Sequence, residues 1–118
     1  MFLMEVEASF EAGHRLPEYN GPCKRMHGHS YVVWATWGLA LLNSQGIAID
    51  LVVLKNILRS VVQPLDHQSL NQVMAGHTTA ECIARLIWNK LQTQNFGSHL
   101  QIVAVQETRG TKVIFTGE

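Results

Sequence analysis

The chain has 118 residues, 47% hydrophobic and 15% charged, which is enough apolar material for one domain, residues 1–118, with its own core. Nine Lys and Arg balance nine Asp and Glu, so no net charge draws the chain to nucleic acid or to an acidic membrane surface. No stretch reaches the roughly 18–20 apolar residues of a membrane span, and the opening "MFLMEVEASFEAGH" mixes acids with apolar residues and lacks a basic region, which reads against a secretory signal.

Residues 2–12 alternate: Met4, Val6, Ala8, Phe10 and Ala12 take one face, and Glu5, Glu7, Ser9 and Glu11 the other. Period two predicts a half-buried strand, and His14 falls on the apolar face if that strand runs on. "LPEYNGP" (16–22) is a turn-rich loop, and the β-branched and aromatic stretch 28–42 predicts a second long strand. "NSQG" (43–46) then reads as a hairpin turn leading into a short strand "IAI".

Asp50 can cap a helix starting at Leu51, and Leu54, Leu58, Val61, Val62 and Leu65 continue the helical spacing. Pro64 ends it near Val62 or Gln63. "LDHQSLN" (65–71) reads as loop or a short turn. A second helix follows, with Thr78 as its cap and Glu81 completing a capping box, and with Ile83, Leu86, Ile87 and Leu91 as its apolar stripe. Cys82 sits beside that stripe and reads as core filler. Strands over 100–107 and 112–116, turned near Gly110, close the chain. The expected fold is α+β: a four-stranded antiparallel sheet with two helices covering one face.

Six histidines are the unusual feature of the composition. His27 and His29 are two apart, so on a strand both imidazoles share one face, about 6–7 Å apart along the backbone. Gly28 between them lets a ligand or another chain approach closely. His14, at the end of the first strand, is the natural third ligand if the two strands pair, and three imidazoles with one open position suit Zn²⁺. Cys23 is a zinc ligand, an inert thiol or a reactive thiolate; Lys24, Arg25 and a nearby metal would all favour the thiolate. Asp66 beside His67 is a possible proton-donating pair. Glu107 ends an apolar strand and is either at the solvent boundary, which the residues alone favour, or a buried anchor. His77 and His99 read as loop histidines. The two cysteines build no disulfide framework, so the thiols are expected reduced and the chain cytoplasmic.

In this order, "FEAGHRL" (10–16), C-x-x-x-H-G-H-S (23–30), G-x-x-x-D (46–50), "LDHQSLN" (65–71), T-A-E…I-W (79–88), "VQET" (105–108) and the final "GE" together resemble the 6-pyruvoyl-tetrahydropterin synthase family nearly end to end. Within it, the chain is most like the bacterial 6-carboxytetrahydropterin synthase branch of queuosine biosynthesis. The resemblance implies a tunnelling fold, with sheets joined into a barrel by a trimer and two trimers stacked as a homohexamer. It implies zinc on His14, His27 and His29, Cys23 as general base, and Asp66 with His67 as a proton relay reaching in from a neighbouring subunit. Glu107 would anchor the pterin ring, with Thr79 helping to hold it. The implied substrate is a small pterin triphosphate, 7,8-dihydroneopterin triphosphate, and the implied products are 6-carboxy-5,6,7,8-tetrahydropterin, acetaldehyde and triphosphate. Arg15, Lys24 and Arg25 either contact the triphosphate or form a solvated basic loop. The alternatives are the pyruvoyl reaction, or a non-catalytic hexamer that binds pterin or metal on the same scaffold.

Overall fold

The computed structural model describes residues 1–118 apart from the side chain of Cys23. Strands β1 (Phe2–His14) and β2 (His27–Leu39) form a long antiparallel hairpin, paired from Phe2 with Leu39 through to His14 with His27. Helix α1 (Leu51–Val62), a two-residue strand β3 (Gln68–Ser69), the single-turn helix α2 (Leu70–Val73) and helix α3 (Ala80–Gln92) follow, and then β4 (Leu100–Gln106) and β5 (Val113–Phe115). The sheet order is β3-β1-β2-β4-β5, with β4 antiparallel to β2 and to β5.

The fold class is α+β, but the sheet has five strands and is mixed, where four antiparallel strands were expected. The extra strand is β3, which runs parallel to β1 through Ala12–Gln68 and Gly13–Ser69. It lies within "LDHQSLN", expected to be loop, and pairs on the edge that the C-terminal end of β1 leaves open. The second strand ends at Leu39 instead of residue 42, since its partner β1 begins at Phe2 and nothing remains to pair with. Leu41 and Leu42 are accordingly exposed. The expected strand "IAI" is also absent: Asn43 Oδ1 accepts from the N–H groups of Gln45 (2.9 Å) and Ile47 (3.1 Å), so side-chain turn bonding replaces a ladder.

The apolar face of β1 does turn inward, with Val6, Ala8, Phe10 and Ala12 all buried, and Tyr31, Val33, Ala35 and Trp37 of β2 lie beside them. Helix α1 covers β1, and α3 covers β4 and β5. The helices bury Leu54, Leu58, Val61 and Val62 on α1 and Ile83, Ala84, Ile87 and Leu91 on α3, each large side chain stabilising the fold by about 1.5–3 kcal/mol relative to exposure. Cys82 lies on the flank of this stripe and is only half-buried, so it is not core filler. The far edge of β1 carries no strand partner beyond β3 among the described residues. Lys55 caps one of its carbonyls, donating from Nζ to Glu7, a charged cover of the kind that keeps sheet edges from pairing at random.

Asp50 caps α1, its Oδ1 accepting from Val52 N–H at 2.9 Å. Asp50→Ala is expected to cost about 1 kcal/mol, read as a lower denaturant midpoint at unchanged slope. The cap of α3 is Thr79, whose Oγ1 accepts from Cys82 N–H at 3.2 Å, and not Thr78. With the cap one residue later, Glu81 no longer stands three residues on, and the expected capping box does not form. Thr78 is fully buried and drawn into other work.

Candidate metal centre and its surroundings

The antiparallel register places His14 directly across from His27, and Ala12 across from His29. Positions 14, 27 and 29 therefore share the helix-covered face at the open end of the hairpin. His14 is fully buried there. One ligand atom from each of His14, His27, His29 and Glu107 lies within 4.8 Å of the other three.

Backbone carbonyls dictate the tautomers. His14 Nδ1 donates to the Thr78 carbonyl at 2.8 Å, and His27 Nδ1 donates to the Arg25 carbonyl at 2.7 Å. A carbonyl oxygen only accepts, so both rings carry their proton on Nδ1 and turn a lone pair outward on Nε2. Those two Nε2 atoms face each other at 2.9 Å. Two lone pairs at that distance repel unless a proton or a metal cation sits between them. His29 Nε2 is buried and has no hydrogen-bond partner among the described residues, although a Glu107 oxygen lies 3.3 Å away. Three imidazole nitrogens and a carboxylate within 4.8 Å of one another form a donor set that suits a divalent cation such as zinc.

The electrostatics agree. Burial holds His29 below the ordinary histidine pKa; Glu107 pulls against that, and His14 and His27 add to it. A neutral imidazole is the form that binds metal. Beneath the cluster, the Tyr31 ring meets His14 and His29 edge-on, with centroids 6.0 and 5.5 Å away, and stacks on Phe10 at 4.8 Å. Burial, reinforced by the Glu107 charge, pushes its phenol well above the ordinary value, so it stays protonated.

Glu107 is neither a solvent-boundary residue nor a fully buried one. Its side chain is 22% exposed, and its oxygens lie 3.3 Å from His29 Nε2 and 3.8 Å from His14 Nε2. It also lines a cleft of about 250 Å³ with Thr79, Leu16 and Lys112, between the start of α3 and the β4–β5 turn. Thr79 and Glu107 thus meet at one cleft beside the histidines. A Cβ at position 28 would meet only the Ala12 carbonyl, at 3.8 Å, an ordinary contact, so no crowding among the described residues demands glycine there.

Asp66 and His67 stand outside this cluster. Asp66 Oδ2 lies 2.9 Å from His67 Nδ1, and Asp66 Oδ1 accepts from Glu11 N–H at 2.9 Å. His67 adopts φ 58°, a left-handed conformation uncommon outside glycine, held because its N–H donates to the Glu11 carbonyl at 2.6 Å. The Glu11 N–H, then His67, hold the Asp66 carboxyl below its ordinary pKa. A depressed folded-state pKa contributes stability that is present above the ordinary aspartate value and lost as pH falls through the lowered one. Asp66→Asn is therefore expected to lower the melting temperature near neutrality, and the gap from the parent should close in strong acid. A gap that persists unchanged into acid would contradict it.

Cys23 belongs by its backbone to the turn Pro22–Lys24, and its side chain lies outside the described residues. Arg15, Lys24 and Arg25 are exposed. The sequence pointed to neither Tyr31 nor Thr78 as part of the site. Tyr31 was within reach of the pattern, being two beyond His29 on the same strand face. The carbonyls of Thr78 and Arg25 carry no signature in residue type. Among the described residues, no helix is long and apolar enough to cross a membrane.

A family model described as 6-pyruvoyl tetrahydropterin synthase matches residues 3–118. A Synechocystis protein named 6-carboxy-5,6,7,8-tetrahydropterin synthase is 40% identical over 98 residues, covering 78% of this chain and 76% of the relative. The human 6-pyruvoyl tetrahydrobiopterin synthase is 32% identical over 127 residues, covering 93% of this chain and 88% of the relative. Among solved structures, Caenorhabditis elegans 6-pyruvoyl tetrahydropterin synthase superposes with a TM-score of 0.91 at 27% identity, covering 99% of this chain and 96% of that one.

Proposed function

Because the chain belongs to the 6-pyruvoyl tetrahydropterin synthase family, we propose that it is a zinc-dependent lyase acting on 7,8-dihydroneopterin triphosphate. With water consumed, the products are 6-carboxy-5,6,7,8-tetrahydropterin, acetaldehyde and triphosphate, a step toward queuosine. The observation that carries this reading is the convergence of His14, His27 and His29 beside a cleft that Glu107 and Thr79 line. The name of the Synechocystis relative supports the carboxy branch.

Zinc held by His14, His27 and His29 would act as a Lewis acid on the substrate's side-chain hydroxyls. Cys23 is the general base: as thiolate, favoured by its neighbours Lys24 and Arg25, it takes a proton from the side-chain carbon next to the ring. The ring C=N bond receives the electrons. His67, braced by Asp66, delivers a proton during that shift. Glu107 accepts the two parallel N–H donors on the guanidine-like edge of the pterin, and Thr79 lines the same cleft.

The assembly assigned to this chain is a hexamer of two trimers, with sheets joined edge to edge into a barrel. The length of the β1 edge that β3 leaves without a strand partner supports it. So does the position of Asp66 and His67 outside the histidine cluster, which suits a pair that serves the site of a neighbouring subunit.

The test is incubation of the zinc-loaded protein with dihydroneopterin triphosphate and mass spectrometry of the products. Acetaldehyde with the carboxypterin is the expected result; turnover that survives Cys23→Ala in full would overturn the base assignment. The second reading is the pyruvoyl reaction, favoured by the close likeness to the Caenorhabditis elegans fold. A 6-pyruvoyl product without acetaldehyde would select it.

A further inference from the structure

Asn71 is the last residue of "LDHQSLN" and has no part in the chemistry above. Its side chain does what a neighbouring strand would do. Oδ1 accepts from Arg15 N–H at 2.8 Å, and Nδ2 donates to the Arg15 carbonyl at 3.0 Å. Arg15 follows His14 directly. The same Arg15 carbonyl accepts a longer bond from Thr78 Oγ1, at 3.4 Å, and the Thr78 carbonyl accepts from His14 Nδ1. A closed circuit therefore runs from the Asn71 amide through the Arg15 peptide and Thr78 to the imidazole.

The other end of the segment is built the same way. Asp66 Oδ1 takes the Glu11 N–H, His67 N–H binds the Glu11 carbonyl, and β3 pairs with Ala12 and Gly13. Residues 66–71 thus zip along residues 11–15. At the far end one side-chain bond and one backbone bond hold the segment, two residues pair as strand, and at the Asn71 end the described bonds to Arg15 come from the side chain alone. A two-residue strand has little hold of its own, so the Asn71 amide, with bonds to both the N–H and the carbonyl of Arg15, secures the end nearest the histidines.

We propose that Asn71 is a positioning residue for the metal centre: by clamping the Arg15 peptide it sets the Nδ1-protonated His14 ring in its place, and it ties the Asp66–His67 segment to the same strand end. This deepens the reading of the histidine cluster as a metal centre and rests on it. Removing an outer-shell partner of a metal-binding histidine typically weakens metal binding by about 10- to 100-fold, and Asn71, which acts through the adjoining Arg15 backbone, is expected at the lower end of that range.

The test uses the full chain and Co²⁺ as a visible probe. Asn71→Ala is expected to raise the Co²⁺ dissociation constant about 10-fold or more and to broaden the ligand-field bands. Asn71→Asp keeps the side chain's shape and the acceptor for Arg15 N–H while losing the donor, so it should move both readouts the same way and by less. It carries the test if the alanine variant fails to fold. In parallel, ¹⁵N NMR of the metal-free proteins should show the parent His14 proton on Nδ1 and slow to exchange, and exchanging faster in both variants. A folded variant that keeps the parent's His14 signals overturns the inference, as does one that keeps its Co²⁺ affinity where the parent binds the ion. A parent that binds no Co²⁺ overturns the metal-centre reading instead, and the NMR comparison still decides on Asn71.

Discussion

His27→Ala is expected to lower zinc affinity by more than about 100-fold, beyond the usual cost of an outer-shell loss, and to remove turnover with it. His27 supplies one of three imidazole nitrogens aimed at one point, and its Nε2 stands 2.9 Å from that of His14. With it gone, two imidazoles remain, too few for the three-ligand arrangement of a catalytic zinc site. Losing even about 3 kcal/mol of charge stabilisation at the reacting oxygens corresponds to more than 100-fold in rate. The metal-free protein should respond with the opposite sign. There the two lone pairs repel wherever no proton bridges them, so in alkaline buffer His27→Ala should leave the melting temperature unchanged or raise it. Metal analysis after dialysis, a turnover assay and a melt of the stripped protein check the three parts. A variant that keeps both zinc and activity would show that His27 only packs.

Glu107→Gln is the second large effect, and it separates two roles the geometry allows. The carboxylate lies 3.3 Å from His29 Nε2 and also lines the cleft with Thr79. As a ring anchor it accepts two N–H donors with a full negative charge; glutamine keeps the shape but presents one acceptor and one donor toward two donors. Hydrogen bonds to charged groups are worth about 1.5–3 kcal/mol each. The expected loss in kcat/KM is therefore about 100- to 1,000-fold, with zinc affinity within a few-fold of the parent. If zinc affinity instead falls as far as it does in His27→Ala, Glu107 is a fourth metal ligand and the anchor role is wrong.

Much of this arrangement was legible because it rests on period two. The alternation of β1 told which face is inward, carried His14 onto it, and put His27 and His29 on the matching face of β2. Asp50 and Pro64 marked both ends of α1 through cap and backbone chemistry that act within a few residues. What stayed hidden depends on tertiary neighbours. Two threonines in a row, Thr78 and Thr79, offer equal caps, and the choice fell to Thr79 because Thr78 is taken by Arg15 and His14. β3 could not be read, since Gln68 and Ser69 have no strand pattern and pair only because β1 leaves an edge beside them. Residues 40–42 and 47–49 looked like strand by composition, yet a strand needs a partner, and β1 had run out. The place of Glu107 was open for the same reason: only the register of β4 against β2 decides which histidine it meets.

X-ray absorption at the zinc edge, on the purified and zinc-loaded protein, reads the central claim most directly. Three imidazole nitrogens at about 2.0–2.1 Å from one zinc per chain, falling to two in His27→Ala, is the predicted result. A spectrum fitted by oxygen or sulfur without imidazole, or a parent protein that retains no stoichiometric zinc, would contradict it.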